Sequence, residues 1–92
     1  GNDAATWVNQ VRARAGLSPI TYVDQAQMRT AIKQERRVEF GMEFERFFDL
    51  VRWNDAITVL AGNGYQNKHR FYPIPNSALN ANTLLVQNPE WP

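Results

Sequence analysis

The chain has 92 residues, 43% hydrophobic and 21% charged, enough for one small globular domain and too few for two. Ten Lys and Arg against nine Asp and Glu leave a net charge of +1, interleaved rather than clustered, which excludes nucleic-acid binding driven by charge alone. There is no cysteine, which excludes a disulfide framework, a thiolate metal site and a lipidated cysteine within these residues.

No apolar run approaches the roughly 20 residues of a membrane-crossing helix. The opening Gly1-Asn2-Asp3 has neither the basic start nor the apolar core of a secretory signal, and no initiator Met. The sequence is therefore expected to be a piece of a longer protein.

Asn2 or Asp3 is expected to cap a first helix that Gly16 ends, with Pro19 just beyond. Between them Ala4, Trp7, Val8, Val11 and Ala15 recur at three and four residues and predict one apolar, inward face. Arg12 and Arg14 lie near the end of that helix, where cations favour its dipole. Residues 17–23 read as a connector, since Ser18-Pro19 breaks a helix and Ile20, Thr21, Tyr22 and Val23 favour extended backbone. Asp24 then reads as an N-cap, with Gln27 completing a capping box. Met28, Ala31, Ile32 and Glu35 set the inner face of a second helix that should last to about Met42. Gly41 costs that helix about 1 kcal/mol against Ala and predicts a kink, a close contact or a helix end at residues 41–45. A third helix follows, with Phe47, Leu50, Val51, Asn54, Ile57 and Val59 or Leu60 inward, until Gly62-Asn63-Gly64 ends it.

Beyond that point Phe71-Tyr72-Pro73-Ile74-Pro75 cannot be a helix interior. Asn76 is expected to cap a single turn through Leu79, and residues 80–92 read as irregular chain laid over a surface. The fold class is all-α: about three helices over residues 1–61, then a loop and an extended arm over residues 62–92.

Residues 35–53 concentrate the chemistry. Glu35, Glu39 and Glu43 fall at i, i+4 and i+8, so three carboxylates share one side of a helix. Unrelieved, each like-charged pair costs a few tenths of a kcal/mol, and the nearest cations in sequence are Arg36, Arg37, Arg46 and Arg52. Glycosidases use paired carboxylates, but these face each other across a sugar at roughly 5–10 Å. Three on one helical face, mixed with arginines, make no cleft. The structural reading is a network of Glu35, Arg36, Glu39, Glu43, Arg46, Asp49 and Arg52 that holds the fold; where buried, each carboxylate needs an Arg or several donors.

A di-iron bundle site needs Glu-x-x-His on two helices. The lone histidine, His69, falls in the loop after the third helix and reads as solvated. No metal and no cofactor are expected. Exposed aromatic faces stack on sugars, and Trp53, Tyr65, Tyr72 and Trp91 are the candidates. The helical spacing of Trp7, Phe47, Phe48 and Trp53 points instead to a core.

Glu35-Arg36-Arg37-Val38-Glu39-Phe40, followed by Arg46-Phe47-Phe48-Asp49-Leu50-Val51-Arg52-Trp53, resembles the signature near the C-terminus of SusD/RagB-family proteins. Val11-Arg12-Ala13-Arg14-Ala15-Gly16-Leu17, Tyr72-Pro73-Ile74-Pro75 and Gln87-Asn88-Pro89 match further family elements in the family's order. Three departures are local. The family usually has a Gly, and often a His, where this chain has Phe44-Glu45; Asn54 stands where a Gly often follows the Trp; and Glu90-Trp91 replaces a final Gly-Tyr.

The resemblance implies the C-terminal segment of a bacterial outer-membrane lipoprotein exposed at the cell surface. Such proteins have a tetratricopeptide-like helical scaffold and are not enzymes. They bind oligosaccharides and cover a TonB-dependent, SusC-like transporter, and their lipid anchor lies upstream of these residues. The resemblance carries over no ligand-binding residue. The isolated segment is expected to self-associate through faces its missing scaffold would cover. The alternative is a free-standing helical domain whose exposed aromatics bind another protein. No nucleic-acid partner is expected.

Overall fold

The computed structural model describes residues 2–92. Among them there are five α-helices, α1 (Asn2–Arg14), α2 (Gln25–Glu39), α3 (Glu45–Arg52), α4 (Ala56–Val59) and α5 (Asn76–Ala81), two short 3-10 segments at Ala61–Asn63 and Asn67–Arg70, and no strand. The all-α expectation holds. The chain divides into two compact units, Gly1–Arg46 and Phe47–Pro92.

In the first unit, α1 stops where a glycine allows it. The Leu17 N–H donates to Arg12 O (2.9 Å) and the Gly16 N–H to Ala13 O (3.1 Å), the double closure that needs a left-handed residue between them. Gly16 supplies it with φ +71°. The connector then folds back along α1. Asn9 of α1 donates from Nδ2 to Ile20 O (2.9 Å) and accepts from the Ile20 N–H at Oδ1 (2.8 Å), so one amide side chain satisfies both polar groups of an extended residue. Arg12 Nε donates to Ser18 O at 2.8 Å.

Asp24 caps α2 as expected. Its backbone is extended and its Oδ1 accepts from the Gln27 N–H at 2.8 Å. The reciprocal half of the capping box does not form, because the Gln27 Oε1 that would accept is buried without a hydrogen-bond partner. Met28 is buried, while Ala31, Ile32 and Glu35 are half-buried. The helix ends at Glu39, three residues short of Met42, and residues 40–44 form a turn. The left-handed positions of that turn are Met42 (φ +70°) and Phe44 (φ +62°), not Gly41.

The inner side of α1 differs from the expectation. Its buried residue is Ala5, and the side chains bonded to the connector and to α2 are the half-buried Asn9 and Arg12, at i, i+4 and i+7. The predicted apolar face is only half-buried at Ala4, Val8 and Val11, and Trp7 is 66% exposed. Asn9 and Arg12 are thus half-buried alongside Ala4, Val8 and Val11, and their hydrogen bonds tie α1 to the connector and to α2.

In the second unit the single third helix expected over this stretch is two. α3 ends at Arg52 through the same double closure, with the Asp55 N–H donating to Leu50 O (2.8 Å) and the Asn54 N–H to Val51 O (3.1 Å). Asn54 takes the left-handed place at φ +60°, which Asn tolerates better than any residue but Gly. The break rotates α4 against α3. Asn54 and Ile57, expected inward, are exposed, whereas Ala56 is buried and Leu60 half-buried. Leu50, expected inward, is almost fully buried.

The last thirty residues hold more helix than the sequence pattern indicates. Asn67–Arg70 is a 3-10 turn, and α5 runs to Ala81 with Pro75 rather than Asn76 at its N-cap and no side-chain cap bond. Residues 71–75 are non-helical, as the two prolines require.

Candidate functional site

The charges of the signature sort by unit. In the first, Arg12 Nη1 donates to Glu35 Oε2 at 2.8 Å, with both side chains largely shielded, and Arg14 Nη2 pairs with Glu39 Oε1 in a more open position. These partners come from α1, not from the neighbouring arginines of the 35–53 stretch. Their signal in the sequence is their spacing: Arg12 and Arg14 lie two apart, so both sit at one end of α1. Arg36 lies over the Phe40 ring, its guanidinium carbon 4.7 Å from the centroid. Glu43 is exposed in the turn and Arg46 is half-buried. In the second unit Asp49 is buried and accepts from Arg52 Nη2 at 2.6 Å, across one turn of α3.

Between α1 and α2 lies a trough of about 420 Å³. It is lined by Trp7, Val8 and Val11 from α1, by Ile32, Glu35, Arg36 and Glu39 from α2, and by Phe40 just beyond the end of α2. Each of its two carboxylates is paired with an arginine of α1, Glu35 with Arg12 and Glu39 with Arg14.

The aromatic candidates fall in the second unit. Phe48, Phe47, Tyr65, His69 and Trp91 form a run of ring contacts with successive centroids 5.9, 6.1, 5.8 and 5.7 Å apart. His69, expected to be solvated, is half-buried between Tyr65 and Trp91, and its Nδ1 accepts from the Gln66 N–H at 2.9 Å. That bond places the proton of the neutral ring on Nε2. Trp91 Nε1 donates to both Lys68 O and Phe71 O at 3.0 Å, and Lys68 Nζ sits 5.0 Å from its ring centroid. Trp53 is half-buried beneath Arg52, whereas Tyr72 is 82% exposed. Phe48, which the helical spacing places in the core, is 60% exposed.

A second amide clasp secures the arm. The Ile74 N–H donates to Gln87 Oε1 (2.8 Å), Gln87 Nε2 donates back to Ile74 O (3.0 Å), and Asn88 Nδ2 donates to Tyr72 O (2.6 Å). The Gln-Asn of one sequence element thus grips the Tyr-Pro-Ile-Pro of another. Replacing Gln87 by Ala removes both Ile74 bonds and the Asn88 N–H bond to the same oxygen. The expected loss is about 1.5 kcal/mol, read as a lower midpoint in urea, with Gln87→Glu recovering only the bonds made to the oxygen.

Among the described residues no group of three or more His, Asp or Glu side chains is placed to hold a metal ion. No helix among them is long and apolar enough to cross a membrane.

The chain is 28% identical over 102 residues to SusD-like protein P2 of Formosa agariphila, an alignment covering 95% of this chain and 20% of that protein. It is 29% identical over 99 residues to SusD-like protein P25 of the same organism, covering 94% of this chain and 19% of the relative. A SusD-like protein of Bacteroides ovatus is 39% identical over 67 residues, 70% of this chain and 11% of the relative. The chain therefore spans about one fifth of the length of the two Formosa relatives, and less of the third. No solved structure matches it significantly. The SusD family model matches residues 1–69, which takes in both arginines of the α1 clasp, the Glu35–Glu39 ladder and the whole of α3, and the chain belongs to the SusD family.

Proposed function

We propose that these residues form the C-terminal segment of a longer surface lipoprotein that binds a glycan nutrient at the outer membrane and passes oligosaccharides to a TonB-dependent, SusC-like transporter. In this reading the anchor is a lipid attached upstream, the protein is not catalytic, and residues 1–92 act as scaffold. Family membership supports the binding role. The observation that carries the scaffold role is the internal use of Trp91 and Tyr65, two of the four candidate sugar contacts, and of the signature carboxylates. Trp91 spends its N–H on two backbone carbonyls, Tyr65 lies in the ring run, and Glu35 and Glu39 are paired with arginines. The signature residues Glu35, Arg36, Glu39, Glu43, Arg46, Asp49 and Arg52 belong in this reading to fold maintenance rather than to ligand contact.

The test is an antibody against these residues applied to fractionated source cells. A band several times larger than 10.6 kDa in the outer membrane is expected, and that protein should bind an oligosaccharide without turning it over. A soluble band near 10.6 kDa overturns the reading. It would favour the second one, a free-standing helical domain that binds a protein partner, for which the near-complete exposure of Met42 and Phe44 speaks.

A further inference from the structure

Nine asparagines are spread along the chain, and one of them, Asn63, is followed by glycine. That pairing has a chemistry of its own. The side-chain amide carbon of an asparagine lies within reach of the next residue's backbone nitrogen, and attack by that nitrogen closes a five-membered ring. A Cβ on the next residue obstructs the approach, and glycine has none. Asn63 and Gly64 are both exposed, and the space beside Gly64 is open, since a Cβ placed there would meet nothing within 4 Å. Among the described residues the Asn63 amide has no hydrogen-bond partner, so no side-chain bond is broken when its carbonyl turns toward Gly64.

The backbone holds the pair loosely. The Gly64 N–H donates to Ala61 O at 3.2 Å, at the long end of the usual range. That bond closes the 3-10 turn Ala61–Asn63, which is exposed throughout and has no side-chain cap. A short turn of this kind has poorer bond geometry than an α-helix and opens at little cost. Three other asparagines show the contrast. Asn54 is followed by Asp55, whose N–H is committed to Leu50 O at 2.8 Å. Asn67 is followed by Lys68, whose Cβ crowds the nitrogen, and Asn88 by a proline, which has no N–H to lose.

We propose that Asn63-Gly64 is a self-modification site, at which the chain converts its own side-chain amide to a carboxylate. The Gly64 nitrogen loses its proton to solvent and bonds to Asn63 Cγ, and the bond from Cγ to Nδ2 breaks as ammonia leaves. Water then opens the succinimide. Attack at Cγ restores the ordinary backbone with aspartate at position 63. Attack at the main-chain carbonyl carbon leaves Gly64 joined through the side chain, as isoaspartate. One water enters, one ammonia departs, and nothing is oxidised or reduced. Either product takes the net charge of these residues from +1 to zero. The isoaspartate also puts an extra methylene into the backbone two residues before Tyr65, which stands between Phe47 and His69 in the ring run. The site is independent of the glycan reading.

The test is made on the folded protein purified from source cells, held in mildly alkaline buffer and sampled over days. Trypsin releases the peptide from Trp53 to Lys68, which carries Asn54, Asn63 and Asn67, so one spectrum compares the three. Two new species are expected, each heavier by the exchange of NH for O, with fragmentation assigning the change to Asn63. One of them should take a methyl group from S-adenosylmethionine in the presence of an isoaspartyl methyltransferase. The rate should rise with hydroxide concentration, because the attacking nitrogen must lose its proton. Asn63→Gln, whose ring would need six members, should stay unchanged over the same period. An Asn63 that remains intact in the folded protein overturns the proposal, whether or not it converts in denaturant, since the turn then does not open. Earlier conversion at Asn54 or Asn67 also overturns it. So does aspartate without isoaspartate, which would mean direct hydrolysis of the amide and no ring.

Discussion

Arg12→Ala is expected to destabilise the first unit by about 3 kcal/mol, the largest single effect of any surface-accessible change in it. Arg12 makes two kinds of bond from one planar group. Its Nε holds Ser18 O in the connector and its Nη1 holds Glu35 on α2. Truncation frees the connector and leaves a carboxylate whose side chain is only 15% exposed without its cation. Removing one partner of a shielded pair costs more than the pair itself contributes, because the remaining charge stays desolvated. Arg14→Ala is the contrast. Its side chain is 69% exposed and its pair with Glu39 is solvated, so the expected loss is about 0.5 kcal/mol. A double-mutant cycle on Arg12 and Glu35 should return a coupling of about 1–2 kcal/mol. Thermal melting should separate the two variants by more than about 10 °C. Similar midpoints for Arg12→Ala and Arg14→Ala would remove the clasp from the account of this fold. Arg12→Lys should recover only part of the loss, since an ammonium cannot span both acceptors in the fork geometry.

Restoring glycine at positions 44, 54 and 90 together is expected to stabilise the chain by about 2 kcal/mol. Each of these residues has a left-handed backbone: Phe44 at φ +62°, Asn54 at +60° and Glu90 at +67°. They are also the three places where the sequence departs from a glycine in the SusD pattern. The departure in sequence and the strain in backbone coincide, which says that the turns keep their shape without the glycines. Phe44 should contribute most, because a bulky residue is least suited to that conformation and its side chain is 91% exposed, so little packing is lost with it. Glu90 should follow, and Asn54 least, since Asn adopts this region readily. Phe44→Ala is the control. Alanine keeps the Cβ that causes the strain, so it should not stabilise. A gain from Phe44→Ala equal to that from Phe44→Gly would mean that exposure of the ring, rather than the backbone, carries the cost. Met42, at φ +70° and fully exposed in the same turn, is a further site where glycine should help.

Much of the helix punctuation is legible because it is local. Gly16 and Asp24 mark helix ends through their own backbone preferences, and the two prolines at 73 and 75 bar a helix whatever surrounds them; of Gly62-Asn63-Gly64, expected to end the third helix, only Gly64 closes an element, the 3-10 turn Ala61–Asn63 that follows α4. Apolar spacing misjudges the third helix at Asn54, because it runs straight through a residue that closes α3 in a left-handed turn. The glycine usual there in the family is the available signal.

By itself, then, the sequence determined the helical class, the positions of most helix ends and the family, since these rest on local conformational preference and on ordered short motifs. The tertiary structure decided which side of α1 is packed, which cations answer Glu35 and Glu39, and how Gln87 and Ile74 lock the arm. Those contacts join residues 11 to 25 apart, and no local preference specifies a partner at that distance. It follows from where the connector turns back along α1, which brings Ile20 to Asn9 and Ser18 to Arg12.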